Sequence, residues 1–190
     1  MSGFLREPLR YLWAQTLLFF GRDARALRVF RDVVRNDPSR GEAWSVLGFL
    51  HAQQGELSEA MPAYEKAIEL QPDDAALCFN AAFVNQRAGN HGRALVLMQQ
   101  AIDLDPKLDR AWYGLGLSLA HEKRYEEAVE KFREAARLQP FNPYAGYHLA
   151  AVLAKLGRSE EVRTEYERVK QFDPKVSAQM RREFGITDAQ

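Results

Sequence analysis

Apolar and small residues recur along this chain at helical spacing, in short runs separated by Gly, Asp, Asn and Pro. In the second quarter the run Trp44, Leu47, Gly48, His51 is followed by Ala60, Tyr64 and Ala67, and Pro72 closes the block. Spacings of three and four place each set on one side of a helix, so the block predicts two amphipathic helices joined by a turn. The same offsets return as Cys78, Ala81, Ala82, Asn85, Ala94, Met98, Ala101 and Pro106, and again as Trp112, Leu115, Gly116, Leu119, Ala128, Phe132, Ala135 and Pro140. Prolines at 38, 72, 106, 140 and 174 set an interval of 34 residues with no insertion. A fixed period of that length signals stacked helical hairpins.

Two outer copies are weaker. Upstream, Trp13, Ala14, Leu17, Gly21, Ala26, Phe30, Val33 and Pro38 fit the pattern, and downstream Leu149, Ala150, Leu153, Gly157, Tyr166, Val169 and Pro174 do. In the last copy Val162 replaces the small residue of the second helix and Gly146 the large one of the first. Gly21, Gly55, Gly89 and Gly157 stand where first helices should stop in a left-handed residue, with Lys123 the exception. Asp23, Ser58 and Ser159 are expected to cap second helices, and Asp73, Asp109 and Asn142 the next first helices. Pro62 is placed in the first turn of its helix. Gly48, Gly116 and their small counterparts read as points of close helix approach, whereas Gly114 suggests a gap beside Tyr113. After Pro174, Val176, Met180 and Phe184 predict a half-repeat that covers the last apolar face.

Together these offsets resemble the tetratricopeptide repeat family, with repeats at 7–40, 41–74, 75–108, 109–142 and 143–174, and a capping helix at about 175–184. The resemblance implies a single all-α domain, a right-handed α-solenoid of antiparallel helix pairs whose first helices line a concave groove. Some members grip a chaperone's terminal carboxylate with a lysine, asparagine and arginine clamp; only Asn80 and Arg110 match, and Ser45 and Phe49 stand where the preceding clamp residues belong. That clamp is not expected here.

The side of each first helix turned from the core should be polar, and it is not. It carries Tyr11, Leu18 and Phe19, then Phe49, then Phe79 and Phe83, then Tyr113 and Leu117, then Tyr144 and Tyr147. Exposed apolar surface of this extent marks binding. The other reading is that the rings of Tyr11, Phe79, Tyr113 and Tyr147 wedge between neighbouring first helices. Arg87, His121 and Lys155 share one offset, and Arg110 joins them as a basic ladder for acidic groups, or they form a solvated edge. The candidate peptide-binding residues are therefore Phe49, Phe79, Phe83, Arg87, Arg110, Tyr113, His121, Tyr144, Tyr147 and Lys155.

Composition narrows the function classes. Basic and acidic residues balance at 26 each, so nothing points to nucleic acid, although residues 1–40 hold eight basic against four acidic side chains. The single cysteine, Cys78, and four scattered histidines offer no metal-ligand spacing, and no catalytic or cofactor motif is present. The expected role is a cytoplasmic protein-interaction adaptor, not an enzyme, with an apolar, partly acidic peptide or helix as partner. Its alternative is a scaffold that self-assembles or touches a membrane through the apolar segment "YLWAQTLLFF" and the arginines that follow. That segment is too short to span a bilayer and reads as a buried first helix rather than a secretory signal.

Overall fold

The computed structural model describes residues 7–187. Eleven α-helices are found among them, and no strand: α1 (Glu7–Phe19), α2 (Asp23–Asn36), α3 (Gly41–Gln53), α4 (Leu57–Leu70), α5 (Ala75–Arg87), α6 (His91–Leu104), α7 (Asp109–His121), α8 (Tyr125–Leu138), α9 (Pro143–Lys155), α10 (Ser159–Lys170) and α11 (Pro174–Phe184). The fold is an all-α helical repeat. The helices divide into two compact units, one up to Leu97 and the other from Met98 onward. Within them α1 packs on α2, α3 on α4, α7 on α8 and α9 on α10; each of α2, α4, α8 and α10 also packs on the helix that follows it.

Each first helix ends in the same way. Gly21, Gly55, Gly89 and Gly157 all take positive φ, and Lys123 takes φ 61° at the corresponding place. The next residue donates its N–H back five positions, from Glu56 to His51 O at 2.9 Å and from Arg124 to Leu119 O at 3.0 Å. These bonds satisfy terminal carbonyls and turn the chain sharply into the second helix. Within pairs the small slots admit rings. A Cβ on Gly48 would lie 2.8 Å from Tyr64 Cδ2, and one on Gly116 2.8 Å from Phe132 Cδ1.

Several local expectations are corrected. Asn142 accepts from Tyr144 N–H at 3.0 Å as expected, but α5 is capped by Asp74, which accepts from Leu77 N–H at 2.9 Å, and not by Asp73. Asp23, Ser159 and Asp109 are the first residues of α2, α10 and α7, and Ser58 the second of α4; the preceding cap positions make no side-chain bond. Asp173, not singled out from sequence, caps α11 through Val176 N–H at 2.9 Å. Pro62 is the sixth residue of α4, beyond its first turn, so the helix forgoes the bond to Ser58 O at an exposed position. Gly114 leaves no gap: it is buried, and a Cβ there would meet Met98 Cε at 2.6 Å.

The first repeat departs most. Ala14 and Leu17 are buried in the core with Phe30 and Val33, yet Trp13 is 55% exposed, beside Leu9 at 51%, Leu12 at 54%, Phe20 at 68% and Phe19 at 85%. So α1 is a helix buried on one side only. Counterparts of Leu9 and Trp13, namely Ala43 and Leu47, Leu77 and Ala81, Ala145 and Leu149, are all buried, in helices on which the preceding second helix packs. Among the described residues nothing occupies that place on α1.

Candidate peptide-binding site

In the first unit α3 and α5 lie side by side. Between them opens a cavity of about 360 Å³, lined by Phe49, Ala52 and Gln53 of α3, Phe79, Asn80, Phe83, Val84 and Arg87 of α5, and Tyr64 of α4. Phe49 and Phe83 occupy one repeat offset in consecutive copies, which is why their rings rise on the same side of neighbouring helices. They are 48% and 46% exposed. Phe79 is half-buried at the wall. Tyr64 forms the floor, packed into the slot at Gly48; burial pushes its phenol pKa up to about 12, so the ring is a neutral, apolar base.

Arg87 closes one end. Its guanidinium lies 5.9 Å from the Phe83 ring centroid and Nη1 donates to Ala52 O at 3.4 Å. That contact spans α3 and α5 and holds a cation against an aromatic face, and the guanidinium has further N–H donors beyond the one used. The arrangement suits an apolar side chain between the two phenylalanines with an acidic group beside it. Of the lining residues, Tyr64, Ala52, Gln53 and Val84 are not among the candidate site residues read from sequence. Tyr64 belongs to the core pattern of a second helix, and only the depth of the cavity makes it a floor.

The second unit places its candidates differently. Tyr113 and Tyr147 are half-buried in an aromatic cluster around His148: centroids stand 5.6 Å apart for Tyr113 and His148, 5.1 Å for Tyr147 and His148, and 5.8 Å for the stacked Phe132 and His148. Burial lowers the His148 pKa and raises that of Tyr113, the latter helped by Tyr144. The Tyr147 hydroxyl donates to Glu183 of α11 and its ring meets Phe184 at 5.7 Å, so this side chain seats the terminal helix. The hydrogen bond to Glu183 is the main cause of the raised Tyr147 pKa. Tyr144 is 59% exposed, and Arg110, His121 and Lys155 are exposed as well. The fifth-position rings are thus half-buried in every copy that has one, Tyr11 included, while the ninth-position rings of Phe49 and Phe83 stand free of the core.

Cys78 is buried, and burial raises its thiol pKa. No group of three His, Cys, Asp or Glu side chains among the described residues is arranged to hold a metal ion. No helix among them is long and apolar enough to cross a membrane.

Comparison with protein families matches residues 24–143 to the model of the cytochrome c-type biogenesis protein H TPR domain. The chain belongs to the tetratricopeptide repeat family. A second tetratricopeptide repeat model matches residues 119–182. The chain is 36% identical over 100 residues to the small glutamine-rich tetratricopeptide repeat-containing protein 2 of Mycosarcoma maydis, covering 53% of this chain and 28% of that protein. It is 30% identical over 120 residues to the TPR repeat-containing protein YpiA of Bacillus subtilis, covering 63% and 28%. The chain therefore spans under a third of the length of these curated relatives. Among solved structures, YrrB, described as a TPR protein with an unusual peptide-binding site, superposes with a TM-score of 0.82 at 20% identity, covering 92% of this chain and 91% of that one. A MamA structure gives 0.83 at 17% identity, covering 97% and 98%. At such identities the likeness is one of fold. Tetratricopeptide repeats generally mediate protein–protein interaction and are typically non-enzymatic scaffolds.

Proposed function

We propose that this tetratricopeptide repeat protein is an interaction adaptor that seats an apolar, partly acidic peptide or helix between α3 and α5. The observation that carries this reading is the convergence of Phe49, Phe79, Phe83 and Arg87 on one open cavity. Phe49 and Phe83 are the apolar contacts, Phe79 a wall, Arg87 the partner of an acidic group, and Asn80 a donor to ligand backbone. In the second unit Arg110, His121, Tyr144 and Lys155 offer exposed polar and aromatic contacts, with Tyr113 and Tyr147 as partly covered ones. The peptide site described for YrrB is consistent with such a use of the fold. Affinity capture with mass spectrometry, comparing wild type with a Phe49→Ser/Phe83→Ser double variant, tests it. Both rings are half exposed, so the variant is expected to keep its helical circular dichroism and to lose the captured partners; an unchanged partner list would remove the basis for the site.

A second reading rests on α1. Leu9, Leu12, Trp13, Phe19 and Phe20 leave on the order of 600 Å² of apolar side-chain surface open, near the roughly 800 Å² per partner that a standard interface buries. This supports self-association through α1 against a second copy, helix on helix, as later first helices are covered within the chain. Light scattering should show a dimer fraction that grows with concentration and disappears in Leu12→Glu/Trp13→Glu. A wild-type monomer at every concentration would exclude it.

A further inference from the structure

The side of α3 opposite the α3/α5 cavity carries a second opening. A crevice of about 700 Å³ lies between α2, α3 and α4, lined by Arg31, Val34, Arg35, Trp44, Leu47, His51, Glu59, Pro62, Ala63 and Lys66. None of these residues lines the cavity proposed above.

Repeat register shows why it stays open. Residues 31 and 59 correspond to 65 and 93 one repeat later, and to 133 and 161 three repeats later. Glu65 and Arg93 form an ion pair at 3.9 Å, and Arg133 and Glu161 one at 2.5 Å, each joining consecutive second helices. Arg31 and Glu59 have complementary charges at the same register, yet no ion pair joins them among the described residues. Arg31 Nη2 instead faces His51 Nε2 at 3.5 Å. His51 is itself held through Nδ1 to Glu56 Oε2 at 2.6 Å, and the tautomer that donates from Nδ1 turns the Nε2 lone pair toward Arg31. The guanidinium keeps further donors for a planar oxyanion.

The second difference lies over the indole. Trp44 and Trp112 are register mates, and each fixes its ring by donating Nε1–H to a loop carbonyl, Pro38 O or Pro106 O, at 2.9 Å. Lys131 stands over the Trp112 ring, 5.2 Å from its centroid. At the matching position over Trp44 the chain has Ala63. An anchored aromatic face is therefore left open at the crevice, rimmed by Arg31, Arg35 and Lys66 against the one lining carboxylate of Glu59. Arg35 is paired with Asp32 at 3.0 Å and Lys66 with Glu69 at 2.7 Å, but both are exposed pairs that an incoming anion exchanges at little cost.

We propose that this crevice binds an aromatic group carrying a carboxylate, its ring against Trp44 and its anion on Arg31 and Lys66. The volume is that of a small-ligand site. A free aryl carboxylic acid and the terminal aromatic residue of a peptide share this chemistry. N-acetylphenylalanine is the probe, and Trp44 emission in a Trp13→Phe/Trp112→Phe protein is the signal; the Trp44 indole N–H resonance in the otherwise unaltered protein gives the same titration. Saturation is expected at about millimolar probe, the range for a ligand of this size. N-acetylphenylalaninamide, lacking the charge, should bind at least about tenfold more weakly, Arg31→Gln should weaken the acid by about tenfold, and Ala63→Lys should abolish binding by covering the indole as Lys131 covers Trp112. A tetrapeptide ending in free phenylalanine that binds more tightly than the probe assigns the site to a peptide terminus, and one that binds more weakly assigns it to the free acid. Absence of a saturable response up to about 50 mM, or equal binding of acid and amide, would overturn the assignment.

Discussion

Two glycines two residues apart in α7 make opposite demands. At Gly116 an added Cβ would meet Phe132 ring atoms at 2.8 Å, and a ring locked in the core cannot yield. At Gly114 the nearest atom is Met98 Cε, the free end of a flexible side chain. Gly116→Ala should therefore destabilise by about 1–3 kcal/mol, overriding the helix propensity gained, while Gly114→Ala should fall near neutral because that gain of about 1 kcal/mol offsets a small shift of Met98. Urea denaturation of the two variants checks the contrast. Residue chemistry also predicts an acid response. His148 is stacked on Phe132 with its pKa lowered by burial, so the folded state favours the neutral ring. Its contribution is complete above the unfolded value, about 6.5, and is lost as pH falls through the depressed folded value. Thermal unfolding from pH 7 to pH 5 should show a decline in wild type that is smaller in His148→Phe.

Helix ends separate what is readable in a sequence from what is not. The 34-residue offsets reveal second-helix rings and small first-helix slots because translation along a repeat preserves packing partners, as at Gly48 with Tyr64 and Gly116 with Phe132. Cap choice carries no such redundancy. Asp73 and Asp74 are adjacent and chemically alike, and one residue of helical phase decides which carboxylate reaches Leu77 N–H. Asp74→Ala should cost about 1 kcal/mol and Asp73→Ala almost nothing, read from denaturation midpoints. Likewise, the aromatic offset that made Phe49 and Phe83 candidates was legible, whereas the engagement of Tyr147 with Glu183 was not, since it depends on where α11 docks. The Glu183 pKa is held down chiefly by the Tyr147 hydroxyl, then by Gln179. That contact is complete above the ordinary carboxylate range and lost as pH falls through the lowered folded value, so the protection factors of α11 amides, taken relative to the intrinsic exchange rate at each pH, should fall in acid and in Tyr147→Phe.

Across the molecule the exposed apolar side chains concentrate at α1, and the pattern alone could not reveal this. Trp13 fits its repeat as well as any core residue does; what differs is that no described helix covers it. At the other extreme of the described chain, α11 buries Val176 and Met180 and turns Lys175, Arg181 and Arg182 to solvent. The asymmetry limits how copies can combine. Growth into an open-ended fibre through these two helices would need their surfaces to fit each other, and the cationic face of α11 does not fit the apolar face of α1. The proposed association through α1 pairs like with like about a two-fold axis and closes on itself, so particle mass should level off at twice that of one chain.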